Sequence, residues 1–218
     1  MNEPVKSRSY NSPAREAAAR QTRREILAAA RRLFVEGGYT GTTMAGIANE
    51  AGVALDTLYA SVGPKPVIFR MLIESAISGV DEAVPALERD YVHAMRAEAD
   101  ASRKLAIYAH AVRSVQERLA PLYRVLQEAA PSEASLHAVW ADISERRARN
   151  MHLLVADLLT EANLNPAITP DEAADILWAT NSSEFFFLLV HQRGWSADRF
   201  EQWLAETWRQ LLLDSTPD

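Results

Sequence analysis

Between Thr42 and Lys65 the chain spells two short helices joined by a corner tight enough to need glycine. Thr42 and Thr43 both precede an apolar repeat, and either can cap a first helix, because a hydroxyl satisfies an orphan N–H there. Met44, Ile47, Ala48 and Ala51 then recur at helical spacing. Gly52 follows, where a residue tolerant of positive φ ends a helix at little cost. Val53 fills the corner, and a second helix starts near Ala54 with Leu58 and Val62 inward. Leu55, Asp56, Tyr59 and Ala60 share its exposed face, flanked by Thr57 and Ser61. This is the helix-turn-helix plan, in which one helix braces and the next enters a major groove. Taken alone, it is equally an αα-hairpin with a small-residue corner.

The flanks decide between the two. Upstream lies an amphipathic helix, from a Ser12-Pro13 start to about Glu36, with Ile26, Ala30, Leu33 and Phe34 inward and Gly37-Gly38 as its stop. Downstream, Pro64 and Pro66 flank Lys65 and open a fourth helix through Ile68, Phe69, Leu72, Ile73 and Ala76 to about Ser78-Gly79. The ordered set Phe34-x-x-Gly37-Gly38-Tyr39, Thr42-Thr43, Thr57-Leu58-Tyr59 and Lys65 closely resembles the N-terminal domain of TetR-family transcriptional regulators over about residues 20–75.

Beyond that head the likeness rests on length and helical texture. Expected helices run over 84–96, 101–118, 120–130, 132–161, 170–192 and from Ser196 onward. Thr169-Pro170-Asp171-Glu172 forms a capping box at the start of the fifth of these. There is no strand pattern and no repeat. The fold class expected is all-α: a three-helix, homeodomain-like helix-turn-helix domain followed by a helical-bundle domain for ligand binding and dimerisation. The divisions are a basic arm over 1–19, the DNA-binding domain over 20–79 and the regulatory domain over 80–218.

Charge supports a head that touches phosphate. The chain of 218 residues carries a net −6, yet residues 1–70 hold ten Lys/Arg against six Asp/Glu, and residues 71–218 hold thirteen against 23. A basic head on an acidic body is the asymmetry expected when one part meets nucleic acid. The absence of cysteine removes disulfides and thiolate metal sites and fits a reducing compartment. The longest apolar run, Phe185 to Val190, is far too short for a membrane span. The opening residues lack a signal-peptide core. The expectation is a soluble cytoplasmic protein with no membrane partner.

The resemblance implies DNA contacts from Thr42, Thr43, Leu55, Asp56, Thr57, Tyr59, Ala60, Ser61 and Lys65, with Arg20 and Arg24 beside them. Thr43 and Lys65 would hold phosphates, Lys65 at a helix N-terminus whose dipole adds to its charge. The exposed face of the second motif helix has no Arg or Lys, so arginine-to-guanine readout is not open to it. Leu55 and Ala60 could meet thymine methyls. Asp56 could accept from a cytosine amine, or simply cap its own helix.

TetR-like bodies enclose an effector cavity, and the candidate walls are Tyr108, Tyr123, Trp140, Met151, Trp178 and Asn181, since such sites are mainly apolar and aromatic. Arg146, Arg147 and Arg149 are expected to face water, and the carboxylate excess disfavours a strongly anionic ligand such as a nucleotide. The family also pairs its last two helices with those of a second copy, which implicates Phe185, Leu189, Trp203 and Trp208. Alternatively Phe185-Phe186-Phe187 fills the monomer core. The partners implied are operator DNA, a second copy and an unidentified small molecule.

Catalysis finds little support. There is no cysteine nucleophile and no Gly-rich phosphate loop, and five scattered histidines form no His-x-x-x-His pair. No cofactor or metal is implied. The function expected is a ligand-responsive repressor that binds a palindromic operator as a homodimer. Its alternatives are a DNA-binding protein without a sensor and, more distantly, a helical enzyme or carrier.

Overall fold

A computed structural model describes residues 13–81 and 83–214. The arm with Lys6 and Arg8, and the expected Ser12 cap, lie outside the described residues. Among the described residues the fold is all-α, with a single isolated bridge between Leu164 and Leu213 as its only extended pairing.

Helix α1 (Pro13–Gly41) carries a break at Gly38, whose φ of 69° takes the chain out of helical geometry where the glycine pair predicts a stop. The last turn folds back so that Tyr39 stacks on Phe34 at 5.6 Å, while Phe69 meets Phe34 edge-on at 5.1 Å. Around these rings close Ile26, Ala30, Ile47, Leu58, Val62 and Ile68, all buried. This apolar cluster fixes α2 (Met44–Glu50), α3 (Leu55–Val62) and α4 (Lys65–Ser78) against α1.

The same cluster continues into the body. Leu119, Leu122, Tyr123 and Leu126 of α6 (Ala101–Ala129) belong to it, as do Leu136, Val139 and Ile143 of α7 (Ala134–Leu158). Polar ties cross the same boundary. Arg31 donates to the Arg118 carbonyl at 2.7 Å, and Arg118 donates in turn to that of Ala76 at 2.9 Å. Arg70 pairs with Asp142 at 2.9 Å.

Gly79 ends α4 in the left-handed region, at φ 79°, and a Cβ there would stand 3.1 Å from Arg118 Nη2. Gly79→Ala therefore combines backbone strain with displacement of the Arg118–Ala76 tie. A loss of roughly 1–2 kcal/mol is expected, read as a thermal midpoint lower by a few degrees.

The second half of the body holds its own core. It is formed by α5 (Asp90–Ala97), the first half of α6, α7, α8 (Pro170–Thr180), α9 (Ser183–Phe186) and α10 (Ala197–Leu212). A 3-10 turn (Ala86–Glu88) precedes α5 in place of the first part of the expected 84–96 helix. The expected 101–118 and 120–130 helices are one. Pro121 forfeits a backbone bond inside α6, but neighbours packed along the helix hold it continuous. The expected 170–192 helix is conversely divided. α8 stops at Thr180, Asn181 leaves helical geometry, Ser182 caps a new turn by accepting from Phe185 N at 3.2 Å, and Phe187–Gln192 winds as a π-helix. The Thr169/Glu172 capping box and the Ser196 cap form as the sequence predicts.

Candidate nucleic-acid interface and effector cavity

α3 is anchored by Leu58 and Val62, which are buried. Their burial turns the opposite face outward: Leu55 is 41% exposed and Tyr59 46%, and Asp56, Thr57 and Ala60 are exposed beside them. Ser61 is half-buried, and its carbonyl accepts from Arg23 Nη1 at 3.3 Å, so Arg23 ties α1 to the end of this helix. Ala54 is the N-cap of α3 and brings no side-chain cap, so Asp56 stands in the first turn and does not serve as the cap. Its charge there suits the helix dipole, and it is the sole charge on the exposed face.

The two threonines divide their roles. Thr43 is exposed and caps α2, accepting from Gly46 N at 3.0 Å. Thr42 is buried, and its hydroxyl donates to the Gly38 carbonyl at 2.8 Å. Thr42 is thereby corrected from a DNA-facing residue to a clamp on the α1 break. Lys65, half-buried, opens α4 with its ammonium 4.2 Å from the centre of the Tyr39 ring. Desolvation there lowers its pKa from the usual lysine value. The ring holds the ammonium by cation–π attraction while the helix end leaves it free to meet an anion. Of the two arginines, Arg20 is exposed on α1. Arg24 is drawn instead toward Asp81, at 3.7 Å, past the far end of α4, so the structure does not gather it with the α3 face.

The body holds a partly open cavity of about 540 Å³ between α4, α5 and the segment before it, α6, α7 and Asn181. Of the candidate wall residues, Tyr108, Met151 and Asn181 line it. Tyr123, Trp140 and Trp178 do not. Tyr123 donates to Glu184 Oε1 at 3.0 Å and meets Trp140 edge-on at 6.3 Å, while Trp178 donates its indole N–H to the Ser144 carbonyl at 3.2 Å. Tyr123 is buried core, and Trp140 and Trp178 are half-buried against the core, so the three are corrected from cavity wall to packing residues. The arginines expected to face water, Arg146, Arg147 and Arg149, line the cavity as well. Arg147 lies along the wall, donates to the Trp178 carbonyl at 2.6 Å and stacks over that indole at 5.0 Å. Burial lowers its pKa. Arg146 also turns inward, to a two-point ion pair with Glu74 of α4 at 2.6 and 3.3 Å. Arg149 lines the rim, exposed and paired with Glu145 at 2.6 Å. One signal was present in the sequence: Arg147, Asn150, Met151 and Leu154 fall on one face of a helix, so an arginine there shares the inward side.

The residues assigned to dimerisation also divide. Trp208 has no exposed surface, stacks on Tyr108 at 5.4 Å and donates to Thr180 Oγ1 at 2.7 Å, so it is corrected to monomer core. Phe185 and Trp203 stack on each other at 6.0 Å, half-buried, with Leu189 also half-buried and Leu188 and Leu211 exposed. No described helix is long and apolar enough to cross a membrane, and no described cluster of His, Cys, Asp or Glu could hold a metal ion.

Comparison with known proteins agrees with this architecture. Residues 26–61 match the family model described as bacterial regulatory proteins, tetR family. The fold is similar to NalD, the secondary repressor of the MexAB-OprM multidrug efflux pump in Pseudomonas aeruginosa, with TM-score 0.70 and 22% identity over 92% of this chain and 100% of that one. It is also similar to a TetR transcription regulator from Haloarcula marismortui, with TM-score 0.65 and 14% identity over 88% and 99% of the two chains. A third likeness is to SmeT in complex with triclosan, with TM-score 0.62 and 19% identity over 89% and 93%. No curated protein matches the sequence.

Proposed function

We propose that this chain, whose residues 26–61 match the tetR family and whose fold is that of its regulators, is a DNA-binding transcriptional repressor. It acts in the cytoplasm as a homodimer on a palindromic operator, and a small molecule in the body cavity releases it. Residues 20–79 form the DNA-binding part and residues 80–218 the regulatory part. Thr43, Leu55, Asp56, Thr57, Tyr59, Ala60 and Lys65 meet the duplex, with Ser61 and Arg20 at the margin. Phe185, Leu189 and Trp203 meet the second copy, which sets two α3 helices about one turn of DNA, ~34 Å, or a multiple of it apart.

The observation that carries this reading is Glu74. It belongs to α4, the helix that closes the DNA-binding head, and it lines the cavity in an ion pair with Arg146 of α7. An occupant of the cavity therefore touches the head directly. A coupling of about 1–3 kcal/mol suffices to change operator affinity roughly 5- to 150-fold, provided the ligand binds the two spacings unequally.

Selecting bound fragments from the source genome's DNA, then footprinting them, tests the proposal. The expected outcome is an inverted repeat with half-sites on one face of the duplex. Because α3 has no Arg or Lys, affinity rests on phosphate contacts and should fall steeply with added salt. An affinity indifferent to salt would refute the phosphate-based account.

A further inference from the structure

The cavity wall has a chemistry that selects among ligands. Five arginines (89, 96, 146, 147 and 149) line it against two carboxylates, Glu74 and Asp157. Both carboxylates are spent. Glu74 is held by Arg146, and Asp157 accepts from the buried Lys104 at 2.8 Å. Arg149 is neutralised by Glu145. Among the described residues Arg147 and Arg89 make no ion pair. Arg147 spends one N–H on the Trp178 carbonyl, and its Nε is buried without a partner. Arg89 donates to the Val84 carbonyl at 3.2 Å and to the Tyr91 hydroxyl at 3.4 Å.

Both guanidiniums line the same cavity as Tyr108. Arg89 donates to Tyr91, whose ring lies 6.2 Å from that of Tyr108, and Arg147 shares the α7 wall with Met151, which accepts from the Tyr108 hydroxyl at 3.4 Å. Glu184, which is not part of the cavity wall and accepts from Tyr123, acts on Arg147 without pairing with it. Arg96, the fifth arginine, is exposed, so Arg147 and Arg89 are the half-buried guanidiniums of the wall with no ion pair among the described residues. A sheltered charge without a counterion is costly, and an anion in the adjacent space removes the cost. The side-chain amide of Asn181 adds a polar requirement. Its Nδ2 donates to the Tyr108 hydroxyl at 2.8 Å while its Oδ1 is buried without a partner. Turned the other way round, the same amide would leave its N–H₂ unmet instead. The remaining wall is mostly apolar or aromatic, with Tyr91, Met95, Val112 and Leu154, beside the polar Gln116 and Asn150.

We propose that the cavity takes an amphipathic organic monoanion, a carboxylate or acidic phenol on an apolar body, with its charged oxygen between Arg147 and Arg89 beside Tyr108. The proposal rests on reading this cavity as the effector site, and it adds a consequence. Arg89 follows the 3-10 turn of residues 86–88, so a bound anion ties that segment to α7.

Calorimetry on the full chain without DNA tests the ligand class separately from operator binding. The probes are 2-naphthoate, 2-naphthamide and 2-naphthylmethylammonium, with octanoate, octanamide and octylammonium as a second body. The carboxylate of at least one body should bind about tenfold or more tighter than its amide, the worth of a charge-assisted hydrogen bond, with the ammonium weakest. Arg147→Met should remove the preference for carboxylate while amide binding persists. Arg147→Lys should keep part of it. Arg89→Gln, on a segment outside the core, should reduce it in a chain of unchanged thermal midpoint. Amide or ammonium binding that equals the carboxylate overturns the proposal. So does a preference that survives both Arg147→Met and Arg89→Gln, or no binding by any of the six at millimolar concentration. A failed operator selection with an intact carboxylate preference would instead overturn the regulator and leave the anion site standing.

Discussion

The double variant Tyr59→Ala, Lys65→Gln is expected to lose operator affinity by on the order of a hundredfold or more at constant salt, with its fold intact. Tyr59 stands outward from α3 with 46% of its surface exposed, so its removal opens no cavity. Lys65 is the cation at the first position of α4, where charge and helix dipole act on the same phosphate. Each such contact is worth about 1–3 kcal/mol, and the lysine also carries about one unit of the salt slope. The signature is therefore double: weaker binding in a gel-shift titration, and a log–log salt plot shallower by about one unit for each Lys65 engaged. The Lys65→Gln change also removes the ammonium from the Tyr39 ring, so the thermal midpoint should be followed in parallel and should fall only slightly. Full affinity in the double variant would place the DNA contact elsewhere on the chain.

Phe34→Ala is the larger effect on stability. The ring is wholly buried between Tyr39 and Phe69, and truncating such a residue costs about 3–5 kcal/mol in lost burial and residual cavity. Against a usual total of about 5–15 kcal/mol, that is a substantial share. A thermal midpoint lower by on the order of 10 °C is expected for a chain of this size. Because the cluster around Phe34 includes Leu119, Leu122 and Leu126 of α6, melting should remain a single transition, with helical signal and tryptophan fluorescence falling together. A separate early transition confined to the head would contradict the continuous core.

The head was legible in the sequence because its stops are local. Gly38, Gly52 and Gly79 each take positive φ at or beside a predicted helix end, and the apolar spacing between them is short enough to admit one packing. The body was less legible where tertiary contacts overrule local preference. Pro121 reads as a break and is absorbed, while the run through Asn181 reads as continuous and is broken. At that break the polar groups have their own partners: Gln116 donates to the Asn181 carbonyl at 2.7 Å, and Ser183 donates to Gln116 Oε1 at 2.6 Å. Those partners are more than sixty positions away in the chain, so no window around Asn181 contains the cause. The cavity followed the same pattern. Aromatics were the natural sequence candidates, but the wall was decided by which helix faces turn inward, and that brought in Arg147 and left out Trp178. Thr42 and Thr43 were indistinguishable as letters, and the fold of Tyr39 back over Phe34 separates them.

The unbroken interior that runs from Phe34 to Ile143 bears on how this molecule can be taken apart or recombined. A chain cut after Gly79 would strip α6 and α7 from the greasy flank of α4, and should precipitate or stay molten where a truly modular reader would fold. A hybrid joining this head to a foreign body needs the carboxy-terminal half of α6 to travel with it, so the workable crossover points are set by packing and do not coincide with the linker at residue 79.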